Sequence, residues 1–382
     1  MEAKPPSDQK AVRVLVLARH FPPAVSGGAR RSLMWTEAFQ AFGADVFVVA
    51  PELPDGLPGA ECPHSNPDPS TKLATRKSLR DIAREWLLWP DPDIRWVRRA
   101  ERLAIAACPF EPTHILTTSP PESIHVAGAG LLGAWPSAQW LVDARDHWLV
   151  RAFRSERRSG LRNFIESMIA PVILRKADAV LAVNEKISAE FQRYAPSAKH
   201  LVVSHFTQRP KQSHAYEGDG VHLVHTGSFS LSDPDVKIET LLRDFETACA
   251  SRSDLTLHLV GRLRADEREK VLASSASEQI VMHGVVALET ALAMQAGASA
   301  LAVVAAPKAP VPPGKMAEYT ASGRPVIPFG TGPWRELVDQ DQRSGAERLL
   351  EFDLAAMPEG MAKPASRSPV EIVRDVLASL SN

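Results

Sequence analysis

The densest run of chemically useful residues is Pro312-Pro313-Gly314-Lys315-Met316-Ala317-Glu318-Tyr319-Thr320-Ala321-Ser322-Gly323-Arg324-Pro325-Val326. It predicts a loop, a short helix from about Lys315, a glycine stop and a buried strand. A helix start offers unpaired N–H groups, and the Lys315 ammonium beside them suits a diphosphate. Glu318, one turn later, is placed to accept hydrogen bonds from ribose hydroxyls, with Gly314 at the entry and Tyr319 alongside. The plainer reading makes Glu318 a solvated helix residue. Two further runs suit the same chemistry. In Val224-His225-Thr226-Gly227-Ser228, Gly227 and Ser228 offer backbone N–H groups and a hydroxyl, with Lys237 just downstream. Val260-Gly261-Arg262 ends another strand, and an arginine there suits a diphosphate bidentately or is simply a surface side chain.

The first half carries its own candidates. Phe21-Pro22-Pro23-Ala24-Val25-Ser26-Gly27-Gly28 joins the first strand to the first helix, with Arg30 and Arg31 following. Gly27 and Gly28 let the backbone approach a phosphate, or make a simple turn. The run is not G-x-G-x-x-G, so no dinucleotide fingerprint is present. Asp143, Arg145, Asp146 and His147 crowd the end of the strand Trp140–Val142, and so much charge is costly in a core but useful at a site. The alternative is a structural Asp–Arg pair fixing the loop. His222 and His225 lie three apart on a strand and so point to opposite faces, against a shared metal ion. Asp91-Pro92-Asp93 has a D-x-D form but reads as a turn, and Ser119 lacks a nucleophile-elbow context.

These residues need a scaffold that brings strand ends together. Short apolar runs alternate with helical periodicity: strands at 12–18, 46–50, 114–118, 140–142, 179–183 and 201–204, then at 221–225, 255–260, 280–283, 301–304 and 326–327. Trp35, Ala38, Phe39 and Phe42 mark one helix face between the first two. The alternation predicts an α/β protein of two parallel-sheet domains with helices on both faces, and a ligand cleft at the carboxyl ends of the strands. The polar stretch 208–220 reads as a linker. The expected division is residues 1–210, residues 221–365, and a last helix within 366–382 that caps either domain. A chain of 382 residues is long enough for two such domains. Its 44 basic and 45 acidic residues leave a net charge of -1, which argues against nucleic acid as a partner. Cys62, Cys108 and Cys249 show no metal spacing and no disulfide framework, which suits a reducing cytoplasm. The opening residues read as a polar leader without an apolar h-region, and no run is long and apolar enough to span a membrane.

Taken in order, these segments resemble glycosyltransferase family 4, in the branch that makes bacterial surface polysaccharides. Phe21-Pro22-Pro23 with Gly27-Gly28 is similar to its amino-terminal glycine loop, and Trp89-Pro90-Asp91 with Trp96 to its "PD…W" stretch. Thr118-Ser119-Pro120-Pro121 and Asp143-Ala144-Arg145-Asp146-His147-Trp148 resemble "SSPP" and "D-x-R-D-x-W". Ala177-Asp178-Ala179-Val180 with Asn184 resembles "ADAV…S", and Gly314-Lys315 to Val326 resembles "SK-x-x-EY…G-x-P-V". The resemblance implies the GT-B fold, in which two Rossmann-like domains face a central cleft. It implies transfer of a sugar from a nucleotide-diphosphate sugar, with retention and without a metal or other cofactor. By the same resemblance Glu318 holds the ribose, while Lys315, Gly227, Ser228 and Lys237 face the diphosphate. Gly27 and Gly28 close over it, and Asp143, Arg145 and Asp146 line the reaction centre.

The chain departs from the pattern where many members carry a glutamate eight positions before Glu318, because Pro310 stands there, and Gly314 replaces a serine. Two other readings stay open: a catalytically silent GT-B-like binding or scaffold protein, and a GT-B nucleotide-sugar epimerase, for which the sequence shows no acid/base pair. The family implies polysaccharide or lipopolysaccharide synthesis and a lipid-linked acceptor at the cytoplasmic membrane face. The basic, Trp-containing stretch 76–102 and the run 151–162 would suit peripheral contact with anionic lipid, or be solvated helix faces.

Overall fold

The computed structural model describes residues 11–24, 27–64, 89–149, 160–204, 212–231, 233–309, 312–338, 341, 343–354 and 368–381. The chain divides into two compact units, Met1–His205 with Arg367–Asn382, and Phe206–Ser366.

The first unit begins with β1 (Arg13–Ala18), α1 (Gly27–Phe42), β2 (Asp45–Ala50) and β3 (Gly59–Glu61). It continues through α2 (Ile94–Ala107), β4 (His114–Ser119), α3 (Ile124–Ala134), β5 (Gln139–Ala144) and α4 (Gly160–Leu174). β6 (Ala179–Ala182), α5 (Glu185–Tyr194) and β7 (Lys199–Val202) follow. The sheet is parallel throughout, in the order β3-β2-β1-β4-β5-β6-β7. Its central strands are buried along nearly their whole length, as strands covered by helices on both faces must be. Trp35, Trp96, Trp140 and Trp148 are the largest side chains fully enclosed in this unit.

The second unit runs β8 (Val221–Thr226), α6 (Ile238–Cys249), β9 (Leu255–Val260), α7 (Ala265–Leu272), β10 (Ile280–Gly284), α8 (Leu288–Gly297) and β11 (Ala300–Val304). It ends with α9 (Lys315–Ser322), β12 (Val326–Phe329), α10 (Pro333–Val338) and α11 (Gly345–Leu350). Its parallel sheet has the order β10-β9-β8-β11-β12. Phe229, Phe245 and Phe329 anchor the core, together with the inward faces of β8, β9 and β11. The last helix, α12 (Pro369–Leu380), returns to the first unit and packs on α1 and β7, with the Gln139 side chain donating to the Leu380 carbonyl at 3.3 Å.

Each sheet starts in its middle and reverses direction, between β1 and β4 in the first and between β8 and β11 in the second. These are the switch points where open α/β sheets bind ligands. The alternation in the sequence located all these strands except β3. That three-residue edge strand has no period to read, and Gly59 fits there because a Cβ would stand 2.3 Å from the Val48 carbonyl oxygen. In the region 55–112, α2 carries Trp96, Val97, Ala100 and Ala104 inward, so Trp96 belongs to the core and donates from Nε1 to the Cys62 carbonyl at 2.6 Å. The expected lipid-facing residues from 76 to 88 and from 151 to 159 lie outside the described residues.

Candidate active site

In the first unit, charge gathers past the ends of β1 and β5. Arg31, on the second turn of α1, is fully buried and forks onto Asp143, with Nη2 at 2.6 Å and Nε at 2.9 Å from Oδ1. Thr118 donates its hydroxyl to Asp143 Oδ2 at 2.7 Å, and Arg31 Nη2 also donates to the Val203 carbonyl at 3.0 Å. This pair ties α1 to β4, β5 and the end of β7. Arg145 turns outward instead. Its Nη1 lies 3.4 Å and 3.0 Å from where Cβ atoms would stand on Gly27 and Gly28, so only small residues let the guanidinium lie over the first turn of α1. Two positive features, a guanidinium and a helix N-terminus, therefore converge on one place, with Asp146 bonded to Arg145 at 3.0 Å. His147 directs Nδ1 to Glu190 on α5 at 2.5 Å, and Glu190 also accepts from the Leu149 N–H at 2.7 Å and the Tyr194 hydroxyl at 3.2 Å. Burial would raise the Glu190 carboxyl, but these hydrogen bonds hold it below the usual range.

Beside the switch point, Arg19 Nε and His64 Nε2 both meet Asp93 Oδ1 at 3.0 Å. Asp91 accepts from the Ser123 hydroxyl at 2.7 Å and the Ser123 N–H at 2.8 Å. Burial, then the nearby Glu122, pushes Asp91 up to about 6. The D-x-D carboxylates are thus spent on the fold. Ser119 is buried, its hydroxyl on the Asp143 carbonyl at 3.2 Å.

In the second unit, the strand ends form a staircase of glycines. Gly227 N–H donates to the Val260 carbonyl and Gly261 N–H to the Gly284 carbonyl, each at 2.7 Å. All three glycines have positive φ, +100°, +140° and +70° for Gly227, Gly261 and Gly284. At Gly261 a Cβ would stand 2.4 Å from the Gly227 carbonyl oxygen, so a side chain there is excluded twice over. Above Gly227 lies Lys315, with Nζ 3.5 Å from the place of its missing Cβ. His225 is buried and its Nδ1 donates to the Ala302 carbonyl at 3.0 Å. That leaves Nε2 to accept from Lys315 Nζ at 3.2 Å. Burial first, then the Lys315 charge, drives the imidazole pKa well down, so His225 is a neutral acceptor that orients the ammonium. Gln295 of α8 plays the same part for Glu318. It is buried, and its amide donates to Thr226 Oγ1 at 2.9 Å and Glu318 Oε2 at 3.2 Å.

Residues 26–206 match the family described as the glycosyl transferase 4-like domain. Sucrose-phosphate synthase from Thermosynechococcus elongatus is similar in structure, with 17% identity, 97% of this chain and 90% of that one covered, and a TM-score of 0.58. The whole chain has the GT-B fold, and within it residues 26–206 are similar to the glycosyl transferase 4-like domain. A candidate UDP-N-acetylglucosamine 2-epimerase from Listeria monocytogenes shares the fold at 14% identity, 97% and 96% coverage and a TM-score of 0.59. So does the pneumococcal O-GlcNAc transferase GtfA in complex with UDP and GlcNAc, at 10% identity, 97% and 92% coverage and a TM-score of 0.55. No curated protein matches by sequence.

Within this fold the candidate residues fall into groups. Gly27, Gly28, Arg145 and Asp146 meet at the start of α1. Gly227, Gly261, Gly314, Lys315 and Glu318 gather at the ends of β8 and β9 and the start of α9, with Ser228 directly after Gly227. Lys237 is the exposed residue before α6, and Arg262 is exposed just past Gly261. Two expectations need correction. Asp143 does not line a surface: it is wholly buried and its carboxylate is committed to Arg31 and Thr118, the structural pair that was the alternative, though with a different arginine. Tyr319 faces the core, where its hydroxyl accepts from the Thr226 N–H at 2.9 Å and donates to the Ala302 carbonyl at 3.3 Å. Glu318 is 8% exposed and not solvated.

The sequence reading missed Arg31 as the partner of Asp143, and missed Glu190, Gln295 and the orienting role of His225. Gln295 had a signal: it is a lone amide in the small, apolar run of α8, where a buried polar residue must find partners. His222 and His225 do face opposite sides of β8. His222 Nδ1 meets His258 Nε2 at 3.0 Å, and His258 Nδ1 meets His283 Nε2 at 3.0 Å. Among the described residues no group of three His, Cys, Asp or Glu side chains is arranged to hold a metal ion.

Proposed function

We propose that this glycosyltransferase moves a sugar from a nucleotide-diphosphate sugar to an acceptor hydroxyl, with retention and without a metal ion, in bacterial polysaccharide or lipopolysaccharide assembly. The observation that carries the reading is Lys315, oriented by neutral His225 over the glycine-ended strand β8. An ammonium beside side-chain-free backbone fits a diphosphate, and the start of α9 adds N–H groups. Glu318, held by Gln295, has the hydrogen-bonding capacity for ribose hydroxyls. Gly227, Ser228, Gly261, Arg262, Gly314 and Lys237 would complete the donor side, and Gly27, Gly28, Arg145 and Asp146 the acceptor side. Positive charge at the diphosphate stabilises the leaving group as the glycosidic bond breaks. The UDP bound to the pneumococcal O-GlcNAc transferase makes a uridine donor the first to try.

Acceptors linked to lipid fit a further feature. Phe164, Met168 and Val172, spaced by one turn on α4, are 62%, 61% and 58% exposed. An apolar stripe of that kind, following a basic run in the sequence, suits peripheral contact with an anionic membrane at its cytoplasmic face. Among the described residues no helix is long and apolar enough to cross a membrane.

The test is a thermal-shift and nucleotide-release screen of the protein against UDP-, GDP-, dTDP- and ADP-sugars, with a chelator present. Stabilisation by one donor with slow nucleotide release, both lost in Lys315→Ala, is the expected result. Stabilisation by no nucleotide would favour a binding or scaffold protein. Conversion of UDP-N-acetylglucosamine to its epimer would favour the second reading that the Listeria structure raises.

A further inference from the structure

We propose that Gln295 sets the carboxylate of Glu318 to read both hydroxyls of a ribose, so that the donor is a ribonucleoside-diphosphate sugar and 2′-deoxyribonucleotide donors of the dTDP type are rejected; the inference rests on the donor reading above, in which Glu318 meets the ribose. All the residues involved belong to the second unit. Gln295 stands near the end of α8, 69 positions from Thr226 and 23 from Glu318. It is buried, and its Nε2 donates to Thr226 Oγ1 at 2.9 Å and to Glu318 Oε2 at 3.2 Å. One amide thus joins α8 to the last residue of β8, directly before Gly227, and to the first turn of α9.

Chemistry fixes the direction of that amide. A carboxylate only accepts, so the NH2 end of Gln295 must face Glu318. The Thr226 hydroxyl, which receives the other hydrogen, stands 3.4 Å from the Tyr319 hydroxyl and can donate onward to it. Oε1 of Gln295 is left buried and, among the described residues, has no hydrogen-bond partner. An unmet buried acceptor costs stability, and a methionine would fill similar space without that cost. What the amide adds over an apolar side chain is its hold on Glu318.

Glutamate is a long, flexible side chain. With Oε2 held by Gln295, the carboxylate is ordered before a ligand arrives, so its loss of freedom falls on folding and not on binding. A carboxylate held in one direction offers acceptors to the neighbouring 2′- and 3′-hydroxyls of a ribose together. A 2′-deoxyribose brings only the 3′-hydroxyl. Glu318 is 8% exposed, so little water reaches it to replace the missing donor. A carboxylate free to swing would follow the single hydroxyl and lose the selectivity. Gln295 is a positioning residue: it acts through Glu318.

The experiment is isothermal calorimetry of the full chain with matched pairs: UDP against 2′-deoxy-UDP, GDP against 2′-deoxy-GDP and ADP against 2′-deoxy-ADP, with dTDP alongside. Within each pair only the 2′-hydroxyl changes. The parent is expected to bind the ribonucleotide of its preferred base at least about tenfold more tightly than the deoxy form, the scale of one hydrogen bond to a charged group. Gln295→Met is expected to bring that ratio down to about threefold or less by weakening the ribonucleotide alone. A glutamine that merely fills space would weaken both members equally or neither. Should Gln295→Met not fold, Thr226→Val stands in for it, since it releases the amide from its other anchor and is expected to lower the ratio in the same direction. Equal affinities within the parent's pair, a preference for dTDP, or an unchanged ratio in the variant overturns the selectivity while the donor reading stands. A parent that binds no nucleotide overturns the donor reading, and the selectivity with it.

Discussion

At the carboxyl ends of its strands the first unit carries paired charges, and the second carries glycines. Past β1 and β5 stand Arg19 with Asp93 and His64, Arg31 with Asp143, Arg145 with Asp146, and His147 with Glu190. Past β8, β9 and β10 stand Gly227, Gly261 and Gly284, with the ammonium of Lys315 held by a neutral imidazole and the carboxylate of Glu318 held by an amide. The same doubly wound sheet thus ends its strands in two ways. Side-chain charge can be tuned residue by residue, which suits a variable acceptor. Bare backbone approaches a phosphate closely, which suits a donor whose diphosphate is constant.

The contrast is tested hardest at Arg31. Arg31→Met leaves Asp143 buried without its cation and is expected to destabilise the first unit by about 3–5 kcal/mol, measured by urea unfolding. A loss under about 1 kcal/mol would mean that the paired charges are not what organises this end of the sheet. In the second unit, Gly261→Ala must adopt a positive φ and push its Cβ onto the Gly227 carbonyl. Strain of about 1–3 kcal/mol is expected, with weaker UDP binding than any effect at the equally conformationally free Gly43, whose Cβ would meet nothing within 4 Å. Isothermal calorimetry of Gly261→Ala and Gly43→Ala decides it. Equal UDP affinities would remove the special standing of the glycine staircase.

Acid separates the units in a graded way. In the second unit His225, His258 and His283 are all pushed below the ordinary histidine value of 6.5, His258 to about 4, chiefly by burial. Across that window the unfolded chain binds more protons than the folded one, so stability falls as pH falls from 6.5 toward 4. In the first unit burial lowers His114 and takes His125 to about 3, but raises Asp91 from 3.8 to about 6. Between pH 6 and 3.8 folded Asp91 holds a proton that the unfolded chain lacks, so acidification there favours folding and offsets a histidine. Hydrogen exchange read by mass spectrometry should show the second unit opening first as the pH is lowered. First-unit opening ahead of it would reverse the assignment. The smallest effect belongs to Arg262, exposed beyond the staircase. Arg262→Ala should change thermal stability by less than about 0.5 kcal/mol, and a selective loss of UDP binding in calorimetry would bring it into the donor site.

Much of this was legible along the chain. Leu255–Val260 was bounded correctly because an apolar run sits between Asp254 and Gly261, and α9 because Gly314 and Gly323 bracket it. Gly27, Gly28, Gly227 and Gly261 stood out because few other positions explain a glycine after a strand. The roles of Asp143 and Tyr319 were misread for one reason: a polar residue at a strand end or on a short helix looks the same in sequence whether it faces ligand or core.

Alternating apolar runs and helical periods were enough to define two doubly wound sheets, since the pattern records which faces are buried and needs no knowledge of neighbours. Which charges meet is another matter. Arg31 and Asp143 are 112 positions apart, His225 and Lys315 are 90, and His147 and Glu190 are 43. Strand order and helix packing bring each pair within hydrogen-bonding distance, and burial then keeps the His225 imidazole neutral. Local sequence carries neither distance nor desolvation, so these partnerships were decided only when the sheets closed around them.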